Sequence, residues 1–318
     1  EKYPAIYAAY RKKHSKGVML YGPPGCGKTL LGRVLSHTLG SGEDGFRYIK
    51  GGELFNQYVG SEEKAIREIF EEASTYKKST GKPKILFFDE ADALFTARRD
   101  YTGSTSGYDF MASTVGAFLT ELDGLDECGA FVMLSTNRPE AIDPAVLRDG
   151  RISRKIKIQR PNQEVATEIL RKNLCEVPIN DFDAVINAGI EALYATNKVH
   201  YVVETDDHGT IRICYHHQIS GAMLAGIAER AINNAIRRDV AAEVDVASGV
   251  TVADIQLAVE TAFKETQDLD LVWLIKEVLG SIEPVSIRSV NARVLKVKNE
   301  TPEIRIKHST DGGENAID

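Results

Sequence analysis

The feature that most constrains this sequence is a glycine-rich run that follows a short apolar segment and precedes a helical pattern. The run reads Gly22-Pro23-Pro24-Gly25-Cys26-Gly27-Lys28-Thr29 and fits the phosphate-binding pattern G-x-x-x-x-G-K-[ST]. Glycines let backbone N–H groups turn inward, and the start of a helix adds partial positive charge. The order of strand, glycine loop and helix therefore predicts a cradle for the phosphates of a nucleotide.

Two side chains of this loop have expected roles in binding. Lys28 should reach the β- and γ-phosphates, and the Thr29 hydroxyl should ligate Mg²⁺. The predicted nucleotide-binding set comprises all eight loop residues and Leu30, the next residue in the chain.

A second segment, Ile85-Leu86-Phe87-Phe88-Asp89-Glu90, ends a predicted buried strand in two carboxylates. We expect Asp89 to hold Mg²⁺ and Glu90 to polarise the attacking water as general base. The alternative is that the two acids cap the following helix, and Asp92 is interpreted as a structural partner. Asn137, after the fourth predicted strand, should lie beside the nucleotide and orient the lytic water or contact the γ-phosphate. The pattern therefore predicts hydrolysis of a nucleoside triphosphate.

Apolar strand-like segments alternate with helical patterns in the first half of the chain. This alternation predicts an α/β fold with a parallel sheet and helices on both faces. A smaller helical domain should follow, interrupted by a β-hairpin. Two of its helices should start after Ser220 and at a Thr251–Asp254 capping box. The predicted domains are 1–160 (nucleotide-binding), 161–283 (helical lid with a hairpin at about 199–215) and 284–318 (a partly disordered extension). The predicted core strands are Val18–Tyr21, Phe46–Lys50, Lys84–Phe88, Ala130–Leu134 and Lys155–Ile158.

The composition excludes several classes of protein. The chain has 318 residues, of which 43% are hydrophobic and 27% charged, and its net charge is −7. This acidic balance argues against a nucleic-acid partner, and no apolar run approaches the roughly 20 residues that cross a bilayer. Four cysteines without CxxC spacing predict reduced thiols and a cytoplasmic location. Because the chain begins at Glu1 without Met, we expect it to be part of a longer protein.

Several histidines and one cysteine surround the predicted hairpin: His200, His208, His216, His217 and Cys214. Their spacing matches no zinc pattern. We interpret the four histidines as exposed polar positions, so the expected metal ligands are confined to Thr29 and Asp89.

Two segments after the fourth strand complete a recognisable set, namely Ser135–Pro139 and Ile142–Arg151. With the glycine loop and the Asp-Glu pair, they resemble the AAA branch of the AAA+ ATPases. The resemblance implies ATP as the nucleotide. It implies that Arg148 and Arg151 reach the neighbouring subunit's ATP and stabilise transition-state charge, so that hydrolysis requires a homo-oligomeric ring, usually a hexamer. It also implies that Gly221-Ala222 helps to form an adenine pocket between the two domains.

The same resemblance implies that the chain binds protein substrates through a loop in the ring pore. In AAA unfoldases an aromatic-hydrophobic-glycine loop after the second strand faces the ring pore, and Tyr58, Val59 and Gly60 match it. Leu122-Asp123-Gly124 resembles the segment that senses the neighbour's nucleotide.

The hairpin, with His217–Met223 and Ala231–Ile236 after it, is most similar to the bacterial proteasomal ATPases, also described as AAA ATPases forming ring-shaped complexes. Only their C-terminal ATPase module is represented, because full members carry N-terminal coiled-coil and OB domains. The resemblance implies a chaperone-like unfoldase that translocates proteins, with a 20S-type proteasome core as a candidate partner. The last residues lack the family's Gly-Gln-Tyr-Leu docking tail. The alternatives are a remodeller that acts without a protease and a nucleotide-gated scaffold with little hydrolysis.

Overall fold

The chain divides into two compact units, Glu1–Gln159 and Arg160–Asp318. Side chains are not described at 62, 105–112, 204–205, 209–210 and 287–292, where only the backbone is. The computed structural model describes residues 9–10, 16–51, 62–96, 105–124, 129–195, 198–205, 209–265 and 287–292.

The first unit contains a five-stranded sheet whose neighbouring strands all run parallel. Its strands are β1 (Gly17–Tyr21), β2 (Phe46–Lys50), β3 (Lys84–Asp89), β4 (Ala130–Thr136) and β5 (Arg154–Lys157). Its helices are α1 (Lys28–Thr38), α2 (Glu62–Thr80), α3 (Ala91–Leu94) and α4 (Thr105–Asp123), with a 3₁₀ turn at Pro139–Ala141. The strand order is β2-β3-β4-β1-β5. The predicted parallel α/β sheet is confirmed, with small shifts at the strand ends.

Side chains alternate between the two faces of the sheet along each strand, and both faces are buried along the central strands β1, β3 and β4. Leu20 and Phe87 point to the face on which Leu35 of α1 packs. Leu86 and Phe88 point to the opposite face, where side chains of α2 and α4 such as Phe118 form the larger cluster. Burial of each such side chain contributes roughly 1.5–3 kcal/mol. The near-continuous apolar strands of the sequence are therefore explained by burial on both sides.

Helix α1 lies unusually close to the sheet at Gly32. A Cβ atom at this position would lie 2.7 Å from the Phe87 ring and 3.0 Å from the Phe46 ring. Only a residue without a side chain allows this approach. The contact fixes α1, and with it the helix start at Lys28, above the sheet.

The second unit is mainly helical, with α5 (Gln163–Leu174), α6 (Phe182–Tyr194), α7 (Gly221–Ala241) and α8 (Val252–Glu265) around one apolar core. Ser220 caps α7 by accepting a hydrogen bond from the Met223 amide at 3.2 Å. Thr251 and Asp254 exchange side-chain and backbone hydrogen bonds at the start of α8, as a capping box predicts. Among the described residues of both units, no helix is long and apolar enough to cross a membrane.

The predicted hairpin is present as β6 (Val199–Thr205) and β7 (Gly209–Cys214), which pair antiparallel. A third strand, β8 (Ile287–Ala292), pairs antiparallel with the other edge of β6. β8 falls in the predicted C-terminal extension, and the sequence analysis did not pair it with the hairpin. A period-2 pattern indicates a strand but not its partner, because pairing depends on contacts distant along the chain.

The close approach at Gly32 generates a test of the fold with a matched control. Gly32→Ala should lower the free energy of unfolding by about 1–3 kcal/mol, because the new methyl group overlaps Phe87. Gly116 is also helical, but a Cβ there meets nothing within 4 Å. Gly116→Ala should therefore raise stability by roughly 0.5–1 kcal/mol. Urea unfolding of both variants measures the difference, and equal effects would contradict the packing described for α1.

Candidate nucleotide-binding site

The order of the strands explains how the predicted residues meet. β4 lies between β1 and β3, and all three strands run in the same direction. The glycine loop follows β1, Asn137 follows β4, and Asp89 ends β3. The carboxyl ends of parallel strands share one edge of a sheet, which is where such folds bind ligands. Asn137 is therefore placed between the loop and the carboxylate pair.

The loop has the backbone conformation that its glycines allow. Gly22 has φ 142°, and a Cβ atom there would lie 2.1 Å from the Ile158 carbonyl oxygen. Gly27 has φ 84° and immediately precedes α1, in a left-handed conformation that favours glycine. Pro24, Gly25 and Gly27 are exposed, whereas Gly22, Pro23 and Lys28 are buried and Cys26 and Thr29 are half-buried. The exposed residues of the loop precede the N-terminus of α1. The first amides of that helix have no partners within the helix and are available to an anion.

Lys28 is the buried cation of the site, with 8% of its surface exposed. Its Nζ donates to the carbonyl oxygens of Gly22 at 2.9 Å and Pro23 at 2.8 Å. It also donates to Oδ1 of Asn137 at 2.8 Å. Burial lowers the pKa of Lys28, while Cys26, Asp89 and other acidic groups act in the opposite direction. The ammonium group thus joins the loop after β1 to the residue after β4.

Asp89 accepts hydrogen bonds on both carboxylate oxygens. Its Oδ2 accepts from the Thr29 hydroxyl at 3.3 Å and from the Tyr48 hydroxyl at 2.9 Å. Its Oδ1 accepts from the Glu90 amide at 3.1 Å. Tyr48 lies on the neighbouring strand β2 and is not among the residues predicted for the site. The only sequence feature that could have identified it is an aromatic residue with a hydroxyl group near the carboxyl end of an edge strand.

Glu90 has an uncommon backbone conformation. Its φ of 51° and ψ of 44° lie in the left-handed region, where a non-glycine residue costs of order 1–3 kcal/mol. It precedes α3, but its side chain makes no capping hydrogen bond to that helix. The alternative in which Glu90 caps α3 is therefore not what the structure shows. The Glu90 carboxylate is instead exposed at the site, adjoining Asp89.

Asp92 connects the ends of β3 and β4. Its Oδ1 accepts from the Thr136 hydroxyl at 2.6 Å, and the Thr136 oxygen accepts from the Arg138 amide at 2.9 Å. Asp92 thus has the structural partner that the sequence analysis expected. The chain of bonds fixes the turn that contains Asn137.

The two predicted arginines differ in their surroundings. Arg148 is exposed. Arg151 donates through Nε and Nη2 to the two carboxylate oxygens of Asp123, at 3.0 and 2.9 Å, and through Nη1 to the Ala145 carbonyl at 2.8 Å. The hydrogen bond from Arg151 lowers the pKa of Asp123. Arg151 is therefore anchored within its own chain, by the end of α4.

In the second unit, Gly221 and Ala222 form the first turn of α7 after the Ser220 cap. Gly221 is half-buried and Ala222 is exposed. The helix start presents amide groups beside small side chains. Contact with adenine stays a prediction.

Of the four histidines around the hairpin, His208 lies outside the described residues, and the other three are buried or half-buried. His200 is 3% exposed and shares a hydrogen bond with the Gln218 amide. His217 accepts from the Cys214 amide at 2.9 Å, and burial lowers its pKa to about 4. The interpretation of exposed positions is therefore wrong for His200. No group of three or more His, Cys, Asp or Glu side chains suited to a metal ion occurs among the residues described.

The predicted pore-loop residues Tyr58, Val59 and Gly60 lie outside the described residues. The same is true of 97–104 and 293–318. The roles assigned to the pore loop stay predictions.

The donor set of the site fits a hard divalent cation with a phosphate ligand. The Thr29 hydroxyl and the Asp89 carboxylate lie 3.3 Å apart and supply oxygen atoms, which Mg²⁺ prefers. Lys28 and the N-terminus of α1 supply positive charge for phosphates. The first unit is therefore a P-loop nucleotide-binding domain, defined by its glycine loop, its buried lysine and a strand that ends in a carboxylate.

Comparison with known families agrees with this class. Residues 18–160 match the ATPase family associated with various cellular activities (AAA). Residues 161–272 match the ARC, AAA+ ATPase lid domain. The chain belongs to the AAA ATPases and carries an ARC-type lid, which confirms the predicted family.

Curated relatives carry matching descriptions. A Corynebacterium kroppenstedtii protein named "AAA ATPase forming ring-shaped complexes" is 37% identical over 288 residues, covering 84% of this chain and 50% of that protein. A Corynebacterium diphtheriae protein of the same name is 38% identical over 275 residues, covering 84% and 52%. A "Proteasome-associated ATPase" of Acidimicrobium ferrooxidans is 36% identical over 294 residues, covering 84% and 49%. The chain spans about half the length of these relatives.

Proposed function

We propose that this chain is the ATPase module of a ring-forming motor that hydrolyses ATP with Mg²⁺ and uses the energy to unfold and translocate proteins. The observation that carries the proposal is the set of bonds joining Lys28, Asn137, Thr29 and Asp89 at one edge of the sheet. The AAA and ARC lid matches support ATP as the nucleotide. Gly221 and Ala222 are proposed to contact the adenine.

Each residue of the site then has a proposed role in ATP binding or hydrolysis. Lys28 neutralises phosphate charge, and Thr29 and Asp89 hold the Mg²⁺ ion, which supplies electrostatic stabilisation of the phosphates. Glu90 accepts a proton from the attacking water. Asn137 orients that water or contacts the γ-phosphate. The exposed position of Glu90 beside Asp89 supports its role, because a general base must reach water at the rim of the site.

The proposed site is completed by a neighbouring subunit. Arg148 is exposed and therefore available to a second copy of the chain, where a guanidinium group would stabilise transition-state charge. Arg151 would contribute after releasing Asp123 or would hold the Arg148 turn in place. The ring-shaped complexes named for the relatives support a homo-oligomer, and we propose a hexamer.

Protein is the proposed substrate, gripped by Tyr58, Val59 and Gly60 in the ring pore. The name of the Acidimicrobium relative supports a proteasome core as a partner. Disassembly of protein complexes without a protease is the second candidate. A cytoplasmic location is proposed from the sequence, whose four cysteines have no CxxC spacing. Degradation assays with a bacterial proteasome core distinguish the two candidates.

The catalytic proposal is tested by Glu90→Gln. The variant should bind ATP as the unmodified chain does, because the phosphate contacts are untouched, but hydrolyse it about 10²–10⁴-fold more slowly without a base. Phosphate release and binding of a fluorescent ATP analogue measure the two effects. Glu140→Gln, a similar change at an exposed carboxylate, should leave both unchanged. Substantial hydrolysis by Glu90→Gln would contradict the role of Glu90, and failure of the unmodified chain to hydrolyse ATP would favour the scaffold alternative.

The pore-loop proposal is tested by Tyr58→Ala. Loss of the aromatic ring should abolish ATP-dependent unfolding of a tagged fluorescent protein while basal ATP hydrolysis stays within about twofold, because Tyr58 is not among the residues assigned to the nucleotide site. Tyr58→Phe keeps the apolar ring and should retain most unfolding. Undiminished unfolding by Tyr58→Ala would overturn the assignment.

A further inference from the structure

The strand β2 contributes a side chain to the nucleotide site that neither the motif nor the family match assigns. Tyr48 lies on β2, and its hydroxyl donates to Oδ2 of Asp89 on the adjacent strand β3 at 2.9 Å. The Tyr48 ring is parallel-stacked with Phe87, with centroids 6.1 Å apart. The strand pairing sets this geometry, since Tyr48 pairs with Phe87, two residues before Asp89.

The hydroxyl of Tyr48 is not needed for packing. Phe46, two residues earlier on the same face of β2, contacts the same Phe87 ring at a centroid distance of 5.7 Å without a hydroxyl. A phenyl ring at position 48 would fill the same space. The hydroxyl is therefore an added polar group directed at one carboxylate oxygen.

The carboxylate of Asp89 is held by few donors. Within the described part of the chain, the recorded donors are the hydroxyls of Thr29 and Tyr48 and the amide of Glu90. The Thr29 oxygen is itself a proposed ligand of the ion. Tyr48 is thus the side chain that can hold the orientation of Asp89 without serving the metal.

We infer that Tyr48 is a positioning residue that fixes the Asp89 carboxylate for its divalent cation. This inference rests on the proposed function only for the identity of the site as one for Mg²⁺ and nucleotide. A hydrogen bond to a charged group orients it and reduces the entropy lost when the ion binds. Removal of the hydroxyl should therefore weaken metal binding more than it slows the reaction at saturating metal.

The test compares Tyr48→Phe with Tyr76→Phe. Tyr76→Phe also removes one hydroxyl hydrogen bond, to the Ser41 carbonyl at 2.9 Å, but the Tyr76 ring lies beside Lys84, at the opposite end of β3 from Asp89. Mn²⁺ is titrated into each chain with a non-hydrolysable ATP analogue, and bound ion is measured by electron paramagnetic resonance. Tyr48→Phe should weaken Mn²⁺ binding about tenfold, whereas Tyr76→Phe should match the unmodified chain. Thermal unfolding of both variants reports any general loss of stability.

ATP hydrolysis provides the second measurement. For Tyr48→Phe the Mg²⁺ concentration at half-maximal rate should rise by a similar factor, and the maximal rate at excess Mg²⁺ should recover to within about twofold. Unchanged Mn²⁺ affinity in Tyr48→Phe, or equal weakening in Tyr76→Phe, would overturn the inference. Absence of hydrolysis in the unmodified chain would instead overturn the proposed function, and the Mn²⁺ comparison would still decide the role of Tyr48.

Discussion

The structure of the first unit depends on one buried ammonium group. Lys28 Nζ joins two carbonyl oxygens of the glycine loop to the amide oxygen of Asn137. A charge with so little exposure is tolerated only when its hydrogen bonds are satisfied. Because β4 lies between β1 and β3, this group ties the loop to the turn that follows the central strand. The same turn is bound to Asp92 after β3 through Thr136. These polar bonds therefore connect the glycine loop, the turn that contains Asn137 and the segment that follows β3.

This rigid arrangement contrasts with the surroundings of the two arginines. Asp123 binds Arg151 through a bidentate pair in which both groups are partly exposed, and such pairs contribute modestly to stability. Arg148 is exposed in the same turn. In the proposed ring the subunit supplies a preorganised half-site for phosphates and metal, and the second half comes from a more accessible segment of its neighbour. The rate of ATP hydrolysis would then depend on assembly, because electrostatic stabilisation of the transition state is complete only where two subunits meet.

Sequence reasoning recovered the parts that depend on local chemistry. The parallel strands followed from apolar runs, and the α7 and α8 starts followed from Ser220 and the Thr251–Asp254 box, whose hydrogen bonds involve near neighbours in the chain. It did not recover the Tyr48 contact, the pairing of β8 with β6 or the Arg151–Asp123 pair. These depend on strand register or on residues far apart in the sequence. The histidine positions were misjudged because polarity alone does not reveal burial when Gln218 supplies a hydrogen bond to His200.

The central claim, that the site is shared between subunits, is tested most directly by mixing two variants that each lack one half. Arg148→Ala keeps the phosphate and metal residues, and Glu90→Gln keeps Arg148. Each alone should be nearly inactive, since an arginine of this kind is worth about 10³–10⁵ in rate. Mixed and reassembled in equal amounts, the two should regain a readily measured fraction of the ATP hydrolysis of the unmodified chain. A mixture as inactive as its components, under conditions in which native mass measurement detects mixed rings, would contradict the account.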